Sequence, residues 1–274
     1  MIRHINLSLI ALIFPFLTVG APMAIAGGGV DKSGLRPQVL KLPSGPGSIT
    51  GLGESFEPQL NSGTASYRVP LQMPPGRVGF APTLALVYNG GKGNTELGIG
   101  WQISFAYIQR QTDKGLPVYD DSKDRFITDG GEELVNVGEG YYRSKNESTF
   151  DRFERIGEAW KASHKDGSKS YYGSLQSAQL HNGPNTFKWA ITRQEDAKGN
   201  RILYRYNEKD AFAGGAAPDD GQVCLTTIVY NEEPLSGKAL RIELRYETRL
   251  PHDRLFDYRS RFPVQTTQRC KEIT

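Results

Sequence analysis

Glycine-containing turn signals recur at short intervals through most of this chain, and they leave room only for short secondary-structure elements. Asn89-Gly90-Gly91, Asp129-Gly130-Gly131, Gly138-Glu139-Gly140 and Asp166-Gly167-Ser168 each supply residues that tolerate the backbone of a tight turn. Strands spaced by about ten residues, with turn signals between them, are typical of a meander, a sandwich or a barrel wall. No segment carries a convincing apolar stripe of helical period. We therefore predict an all-β fold of many short antiparallel strands with little helix.

The apolar segments fall into three groups along the chain. Near the start, we predict strands over Ala65–Leu71 and Pro82–Tyr88, then one continuous strand from Gly98 to Tyr107. The shorter strands predicted for the middle are Phe126–Thr128, Glu133–Val137, Tyr141–Arg143, Phe153–Ile156 and Ala159–Lys161. The strands predicted for the last third are Arg201–Asn207, Leu225–Asn231 and Leu240–Glu247.

The strands of the last third form a weak internal repeat. Each closes on a tyrosine followed by a polar residue, at Tyr206, Tyr230 and Tyr246. The sequence stops at Lys271–Thr274, inside another predicted strand. Because an unpaired edge strand promotes aggregation, we expect the chain to be the front part of a longer protein.

The N-terminus has the pattern of a targeting segment. A short basic start at Arg3 precedes an apolar run over Leu7–Val19, and Ala24-Ile25-Ala26 offers the small residues that a signal peptidase accepts. We predict a signal peptide over residues 1–26, cleavage after Ala26 and secretion, with an uncleaved anchor as the alternative. Residues 27–50 are predicted to form a flexible leader rich in glycine and proline, and residues 51–274 the β domain.

Charge and cysteine content narrow the possible partners. The formal net charge is +3, with basic and acidic residues interspersed, so we expect no nucleic-acid partner. No later segment is long enough to cross a membrane, so no stable span is expected in the mature chain. The two cysteines, Cys224 and Cys270, are compatible with a disulfide in an oxidising compartment or with two separate core positions.

A search for reactive groups yields no catalytic, cofactor-binding or metal-binding residue. The acidic pairs, such as Asp120-Asp121, are adjacent in sequence and would point to opposite faces of a strand. The acidic residues between Asp113 and Asp124 lack the spacing of a calcium-binding loop, so a solvated turn is the favoured interpretation over a calcium site. No nucleophile elbow is present. We therefore expect no cofactor and no enzymatic activity.

A set of phrases, in contrast, resembles a known family. The phrases that carry the resemblance are Gly51–Phe56, Pro58–Gly63, Tyr67–Leu71, Pro74–Arg77, Pro82–Asn89, Gly98–Trp101, Ile108–Pro117 and Asp196–Asn207. They resemble the N-terminal SpvB domain, which also opens the B component of insecticidal Tc toxin complexes and many proteins with Rhs or YD repeats. The resemblance covers roughly residues 51–274 and is most specific up to Pro117.

The resemblance implies a structural role. Similar domains contribute strands to an Rhs/YD-type β-shell that encloses a toxic C-terminal region. The implied partners are downstream shell sequence or toxin-complex subunits, and the implied payload is not present in this chain. The residues that we expect to act as structural motif positions are Gly53, Phe56, Gly63, Tyr67, Pro70, Pro75, Gly76, Arg77, Gly98, Gly100, Trp101, Arg110, Gly199 and Asn200.

Two other functions remain open from the sequence. A secreted carbohydrate- or surface-binding module, similar to an adhesin, is suggested by aromatic residues that the pattern leaves exposed. These residues are Tyr141, Tyr142, Tyr171, Tyr172 and Trp189. A free-standing ADP-ribosylating enzyme is the third and least favoured hypothesis.

Overall fold

A computed structural model describes residues 5–6, 57–59, 64–147, 149–218, 221–233 and 237–274. Within these ranges the backbone is dominated by short strands, and the helical pieces are single 3₁₀ turns, such as Arg77–Gly79 and Gln176–Ala178. The strands are β1 (Ile5–Asn6), β2 (Glu57–Gln59), β3 (Thr64–Leu71), β4 (Leu84–Asn89), β5 (Asn94–Thr95), β6 (Gly98–Ile99), β7 (Trp101–Ser104), β8 (Tyr107–Arg110), β9 (Phe126–Thr128), β10 (Glu133–Gly138), β11 (Tyr141–Ser144), β12 (Arg152–Ile156), β13 (Ala159–Ser163), β14 (Lys169–Tyr172), β15 (Gln179–Asn182), β16 (Asn185–Glu195), β17 (Arg201–Tyr206), β18 (Leu225–Tyr230), β19 (Leu240–Thr248), β20 (Leu255–Asp257), β21 (Val264–Thr266) and β22 (Gln268–Ile273). The prediction of many antiparallel strands with little helix is confirmed.

Strands β8 to β14 and β16 close into a ring. Each strand pairs antiparallel with the next one along the chain, except that β14 pairs with β16. The long strand β16 then closes the circuit by pairing with β8, with Trp189 opposite Ile108. We call this closed set of strands the ring.

A second set of strands leaves the ring at β16. Strand β17 pairs with the C-terminal half of β16, and β18, β19 and β22 follow in order. We call β17, β18, β19 and β22 the wing. Strands β14 and β8 lie on opposite edges of β16, because the backbone groups of successive residues in a strand point to opposite sides. Ala190 O accepts from Gly173 N, which follows β14, and Ile191 N donates to Ala106 O, which precedes β8. Strands β8 and β17 therefore share one edge, and the sheet forks where they diverge.

The ring encloses a core of large aromatic side chains. Phe126 from β9, Tyr142 from β11, Trp160 from β13 and Trp189 from β16 lie with ring centroids 4.8 to 6.0 Å apart. The two tryptophans are 1% and 0% exposed. Edge-to-face packing of this kind adds about 0.5–1.5 kcal/mol per pair beyond the area that it buries.

A smaller sheet formed by β2, β3, β4 and β7 lies at the start of the domain. Its inward residues Leu84, Leu86 and Ile103 join the same hydrophobic core as the ring and wing. One sequence prediction is wrong here, because Gly98–Tyr107 does not form a continuous strand. The chain leaves β7 at Ser104 and enters the ring at Tyr107, so Phe105 and Ala106 connect two different sheets.

Most of the predicted signal peptide and all of the predicted leader lie outside the described residues. The exception is β1, in which Ile5 pairs with Ile273 of β22, and cleavage after Ala26 would remove this strand. Signal peptide, leader and secretion stay predictions. None of the helices in the described part of the chain is long and apolar enough to span a membrane.

Candidate functional site

The predicted motif residues Tyr67, Gly100 and Trp101 are brought together in the small sheet. The ring of Trp101 packs against Tyr88 at 5.3 Å and against Tyr67 at 6.3 Å, measured between ring centroids. Gly100 has a φ of +77°, and a Cβ placed there would lie 2.5 Å from Tyr88 Cε2. Only glycine meets both conditions, so the motif fixes the packing of these aromatic rings.

A second group of motif residues lies together in space although its members are more than a hundred positions apart in sequence. Arg77, Gly199 and Asn200 line one cleft of about 250 Å³. On the Arg77 side, the Tyr230 hydroxyl donates to Pro74 O at 2.8 Å, which holds the loop that precedes Arg77 against β18. On the other side, Asp196 Oδ1 accepts from Asn200 N at 2.8 Å and closes the turn that contains Gly199.

The remaining described motif residues serve local roles. Gly76 faces the same loop, where an added Cβ would collide with Phe80 O. Pro70 is an exposed residue of β3 opposite Ala85, Pro75 is exposed, and Gly98 belongs to the β5–β6 hairpin. The predicted motif residues Gly53, Phe56 and Gly63 lie outside the described residues.

Arg110, the last motif residue, anchors a loop over the end of the ring. Its side chain is 5% exposed, and its guanidinium donates to Asp124 Oδ2 at 2.7 Å, Asp121 Oδ1 at 2.5 Å and Thr186 O at 2.9 Å. The same guanidinium lies over the rings of Phe126 and Trp189, at 5.0 and 5.6 Å from their centroids. Arg110 thus joins a polar loop to the aromatic core.

The acidic loop is not only a solvated turn, because one of its carboxylates is buried. Asp124 is buried against Arg110, and it also accepts from Val118 N at 2.9 Å and Tyr119 N at 2.8 Å. Asp120 stays at the surface, where hydrogen bonds from Ser122 and Lys123 lower the pKa of its carboxyl. Across the described ranges, no group of three or more potential metal ligands comes together.

Arg155 is a functional candidate that sequence reasoning missed. It lies beside Arg110 inside the ring, 4.6 Å from the Trp189 centroid and 3.5 Å from Asp121 Oδ2. Burial lowers its pKa, and its Nη1 atom is buried without a hydrogen-bond partner. In sequence, Arg155 is one charged residue in a predicted strand, and nothing distinguishes it from the neighbouring Arg152.

The fork between ring and wing contains a cavity of about 440 Å³. We call it the fork cavity. Its wall includes Tyr107 and Gln109 from β8, Lys188 from β16 and Tyr246 from β19. The ammonium of Lys188 lies 3.7 Å from the centroid of the Tyr107 ring. Sequence reasoning missed Lys188 because it did not predict the strand that carries it.

The aromatic residues of the carbohydrate-binding hypothesis do not form an exposed platform. Tyr142, Tyr172 and Trp189 are buried in the core. Tyr141 and Tyr171 are half-buried, and the guanidinium groups of Arg152 and Arg193 cover their rings at 4.9 and 3.8 Å. The expectation of exposure is wrong because alternate positions on these strands face the inside of the ring.

Both cysteines are buried, and no disulfide joins them. Cys270 lies opposite Tyr246 in the β19–β22 pairing, and burial raises the pKa of its thiol to about 12. Of the two possibilities left open by the sequence, the structure places the cysteines in separate core positions.

The sequence matches a known protein family over more than half of its length. The family described as Salmonella virulence plasmid 65kDa B protein, SpvB, matches residues 59–154 and 140–223. The mono(ADP-ribosyl)transferase SpvB of Salmonella choleraesuis (strain SC-B67) is 29% identical over an alignment of 194 residues, which covers 59% of this chain and 32% of that protein. The same-named protein of Salmonella typhimurium is 29% identical over an alignment of 187 residues, which covers 56% of this chain and 31% of that protein. The chain thus matches about a third of the length of these relatives.

Solved structures share the fold. A crystal structure of TcdB2-TccC3 matches with a TM-score of 0.68 at 26% identity, over 87% of this chain and 14% of that chain. The Photorhabdus luminescens Tc holotoxin pore matches with a TM-score of 0.67 at 26% identity, over 85% of this chain and 14% of that chain. The N-terminal domain of the effector SpvB from Salmonella typhimurium strain LT2 matches with a TM-score of 0.60 at 21% identity, over 75% of this chain and 86% of that domain.

These relatives correct one expectation from the sequence and confirm another. The expectation of no enzymatic activity is contradicted, because the matched relatives are named as mono(ADP-ribosyl)transferases and enzymatic activity therefore occurs in the family. The resemblance drawn from the motif phrases is confirmed by the family match and by the structural neighbours. The chain is a toxin-complex-related module and a member of the Salmonella virulence plasmid 65kDa B protein (SpvB) family.

Proposed function

We propose that this chain is a wall segment of a toxin carrier and that it helps to enclose a toxic C-terminal region before delivery. The observation that carries the proposal is the match to TcdB2-TccC3, in which 87% of this chain corresponds to 14% of a much longer chain. A module that corresponds to a small part of a much longer chain is expected to act together with the rest of that chain. The partners that fit are downstream shell sequence and toxin-complex subunits.

The strand pairing supports a role as one segment of a larger wall. The ring closes on itself through β16, so its strands have paired neighbours on both sides. The wing continues the same sheet outward to β22, whose outer edge is paired only with β1 in the described part of the chain. Cleavage after Ala26 would remove β1 and leave this edge unpaired, and an unpaired edge is a template for a further strand where the wall would continue into neighbouring sequence.

Protection of a downstream segment tests the proposal. The reading frame is determined beyond the Thr274 codon, its complete product is purified, and trypsin cleavage is followed by mass spectrometry. We expect a C-terminal segment that resists trypsin in the intact product and becomes cleavable in an Arg110→Met variant, which loosens the ring. Arg125→Met, at an exposed ion pair with Glu133, is the matched control and should leave protection unchanged.

Two outcomes would overturn the shell proposal. One is cleavage of the downstream segment in the intact wild-type product to the same extent as in the Arg110→Met variant, which would show that the segment is not protected. The other is a stop codon directly after Thr274 together with a strictly monomeric chain in the presence of Tc-type subunits, measured by light scattering.

We further propose that the chain is exported by its N-terminal segment. The support is the sequence pattern of residues 1–26, in which a basic start and an apolar run precede Ala24-Ile25-Ala26. Sequencing the N-terminus of the protein recovered from culture medium is the direct measurement. A mature N-terminus at Gly27 supports export with cleavage, whereas retention in the cell with an intact Met1 contradicts it.

A further inference from the structure

The fork cavity is a consequence of strand alternation at β8 and β16. Ile108 and Arg110 of β8 and Trp189 of β16 point into the ring, where they are buried. The alternate residues therefore point to the other face, which puts Tyr107, Gln109 and Lys188 into the cavity at the fork. The cavity is built from the pairing that closes the ring rather than from a surface loop.

The Lys188 ammonium faces this cavity, where the carboxylates of Glu96 and Asp129 act on it without forming a close ion pair. Its ammonium lies over the ring of Tyr107 at 3.7 Å and is 5.8 Å from the centroid of Phe105. No described residue offers the Lys188 ammonium a hydrogen-bond acceptor or an ion pair. Contact with an aromatic face uses none of the ammonium's three N–H donors, so they can bind an acceptor that enters the cavity.

The other charged groups around the cavity have partners. The Lys92 ammonium donates to Gln102 Oε1 at 2.6 Å, and the Arg259 guanidinium donates to both carboxylate oxygens of Asp257 at 2.6 to 3.1 Å. Glu96 Oε1 accepts from Ile103 N at 2.8 Å.

Asp129, the other acid that faces the cavity, accepts backbone hydrogen bonds, and burial raises the pKa of its carboxyl. Desolvation also disfavours the charged form of Lys188 and lowers the pKa of its ammonium to about 8. Among the described residues, the half-buried Lys188 ammonium therefore has no hydrogen-bond partner and faces the cavity.

We propose that the fork cavity binds a small organic anion, whose carboxylate or phosphate group accepts hydrogen bonds from the Lys188 ammonium beside the ring of Tyr107. The volume of about 440 Å³ falls in the range of small-molecule sites. Phe105 and Tyr107 supply flat apolar surface for the body of the ligand, and Gln109 and Thr112 supply polar groups on the cavity wall.

Calorimetry with three matched probes tests this site on the purified chain. Benzoate and phenyl phosphate carry the two candidate anionic groups, and benzamide is the neutral analogue of benzoate. We expect at least one anion to bind about tenfold or more tightly than benzamide, since a hydrogen bond to a charged group contributes about 1.5–3 kcal/mol. The anion that binds more tightly distinguishes a carboxylate site from a phosphate site.

Variants assign the binding to Lys188. Lys188→Met should remove the preference for the anion, whereas Lys188→Arg should retain most of it. Lys161→Met is the control, because Lys161 already pairs with Glu154 at 3.2 Å on β13. Equal affinity of the wild-type chain for benzoate, phenyl phosphate and benzamide would overturn the proposal even if a Lys188 variant fails to fold. Unchanged anion affinity in a folded Lys188→Met chain would overturn it as well.

A pH series provides a second readout. The ammonium form is needed to receive the anion, so benzoate affinity should fall as pH rises through about 8, where Lys188 loses its proton. The other titratable or charged groups that face Lys188 are Lys92, Tyr107, Glu96, Asp129 and Arg259. Lys92→Met should therefore keep the pH step, and Lys188→Arg should shift it to higher pH. Benzoate affinity that is independent of pH up to 10 would contradict a role for Lys188.

Discussion

At the scale of single residues, the fold depends on a few glycines that pack against aromatic rings. Gly100 combines a φ of +77° with close contact to the Tyr88 ring. Gly173 combines a φ of +64° with close contact to Trp189, so it plays the same role in the ring. Elsewhere, glycines such as Gly199 have a positive φ but open space around them. The first kind serves packing, whereas the second kind only allows the chain to turn.

Gly100→Ala should therefore destabilise the protein more than Gly199→Ala. Both substitutions place a Cβ on a left-handed backbone, which costs about 1–2 kcal/mol. At Gly100 the clash with Tyr88 adds about 1–3 kcal/mol of overpacking. Urea unfolding followed by tryptophan fluorescence measures both. Equal losses for the two variants would show that the Tyr88 contact is relieved without cost.

At the scale of elements, Arg110 holds the loop between β8 and β9 against the ring. Arg110 binds Asp121 and Asp124 from this loop and also contacts Thr186 O at the start of β16. The same loop contains Tyr119, whose hydroxyl donates to Ser260 O. The Tyr119 ring stacks on Phe262, with the two ring centroids 6.3 Å apart. One end of the ring is therefore joined to the segment that follows β20.

Arg110→Met should cost about 3–5 kcal/mol of unfolding free energy, because Asp124 would remain buried as an uncompensated carboxylate. Arg125→Met removes an exposed pair with Glu133 and should cost no more than about 1 kcal/mol. Chemical denaturation gives both values. A double variant, Arg110→Met with Asp124→Asn, should recover part of the loss, and failure to do so would contradict the charge explanation.

At the scale of the whole molecule, tyrosine hydroxyls bond the strands of the wing to one another and to the rest of the fold. Tyr206 donates to Ile191 O at 2.6 Å, Tyr246 to Leu225 O at 2.7 Å and Tyr230 to Pro74 O at 2.8 Å. These are the closing tyrosines of the weak sequence repeat. Their repetition thus has a physical reason, because each strand ends by bonding its hydroxyl to the backbone of another segment.

The buried tyrosines predict loss of stability at alkaline pH. Burial raises the pKa of Tyr206 and Tyr246 well above the ordinary value of 10.0, so the folded chain holds these protons after the unfolded chain has released them. Their contribution is complete below pH 10 and falls as pH rises above it. Tyr246→Phe should reduce this alkaline slope in urea titrations. Tyr258→Phe, at a residue that is 61% exposed, is the control and should leave the slope unchanged.

Much of the fold could be predicted from the sequence because its signals are local. Turn residues and alternating apolar positions identify β9, β10, β11, β12 and β13 to within about two residues. The motif phrases also identify Gly100 and Trp101 as packing positions. In contrast, the prediction omitted β14, β15 and β16. Between Thr186 and Thr192 every residue of β16 except Lys188 is buried, on both faces of the strand, so this strand lacks the alternation on which the prediction relied.

The sequence by itself determined the strand-and-turn character, the family and the aromatic packing motifs, because each of these depends on neighbouring residues. Only the tertiary structure decided that β16 pairs with β8 and β17 on one edge, which closes the ring and opens the fork. That pairing brings Lys188 to Tyr107 and Arg110 to Asp124 and Thr186. These contacts join residues far apart in the chain, and which strand edges meet depends on how the whole set of side chains packs together rather than on any local pattern.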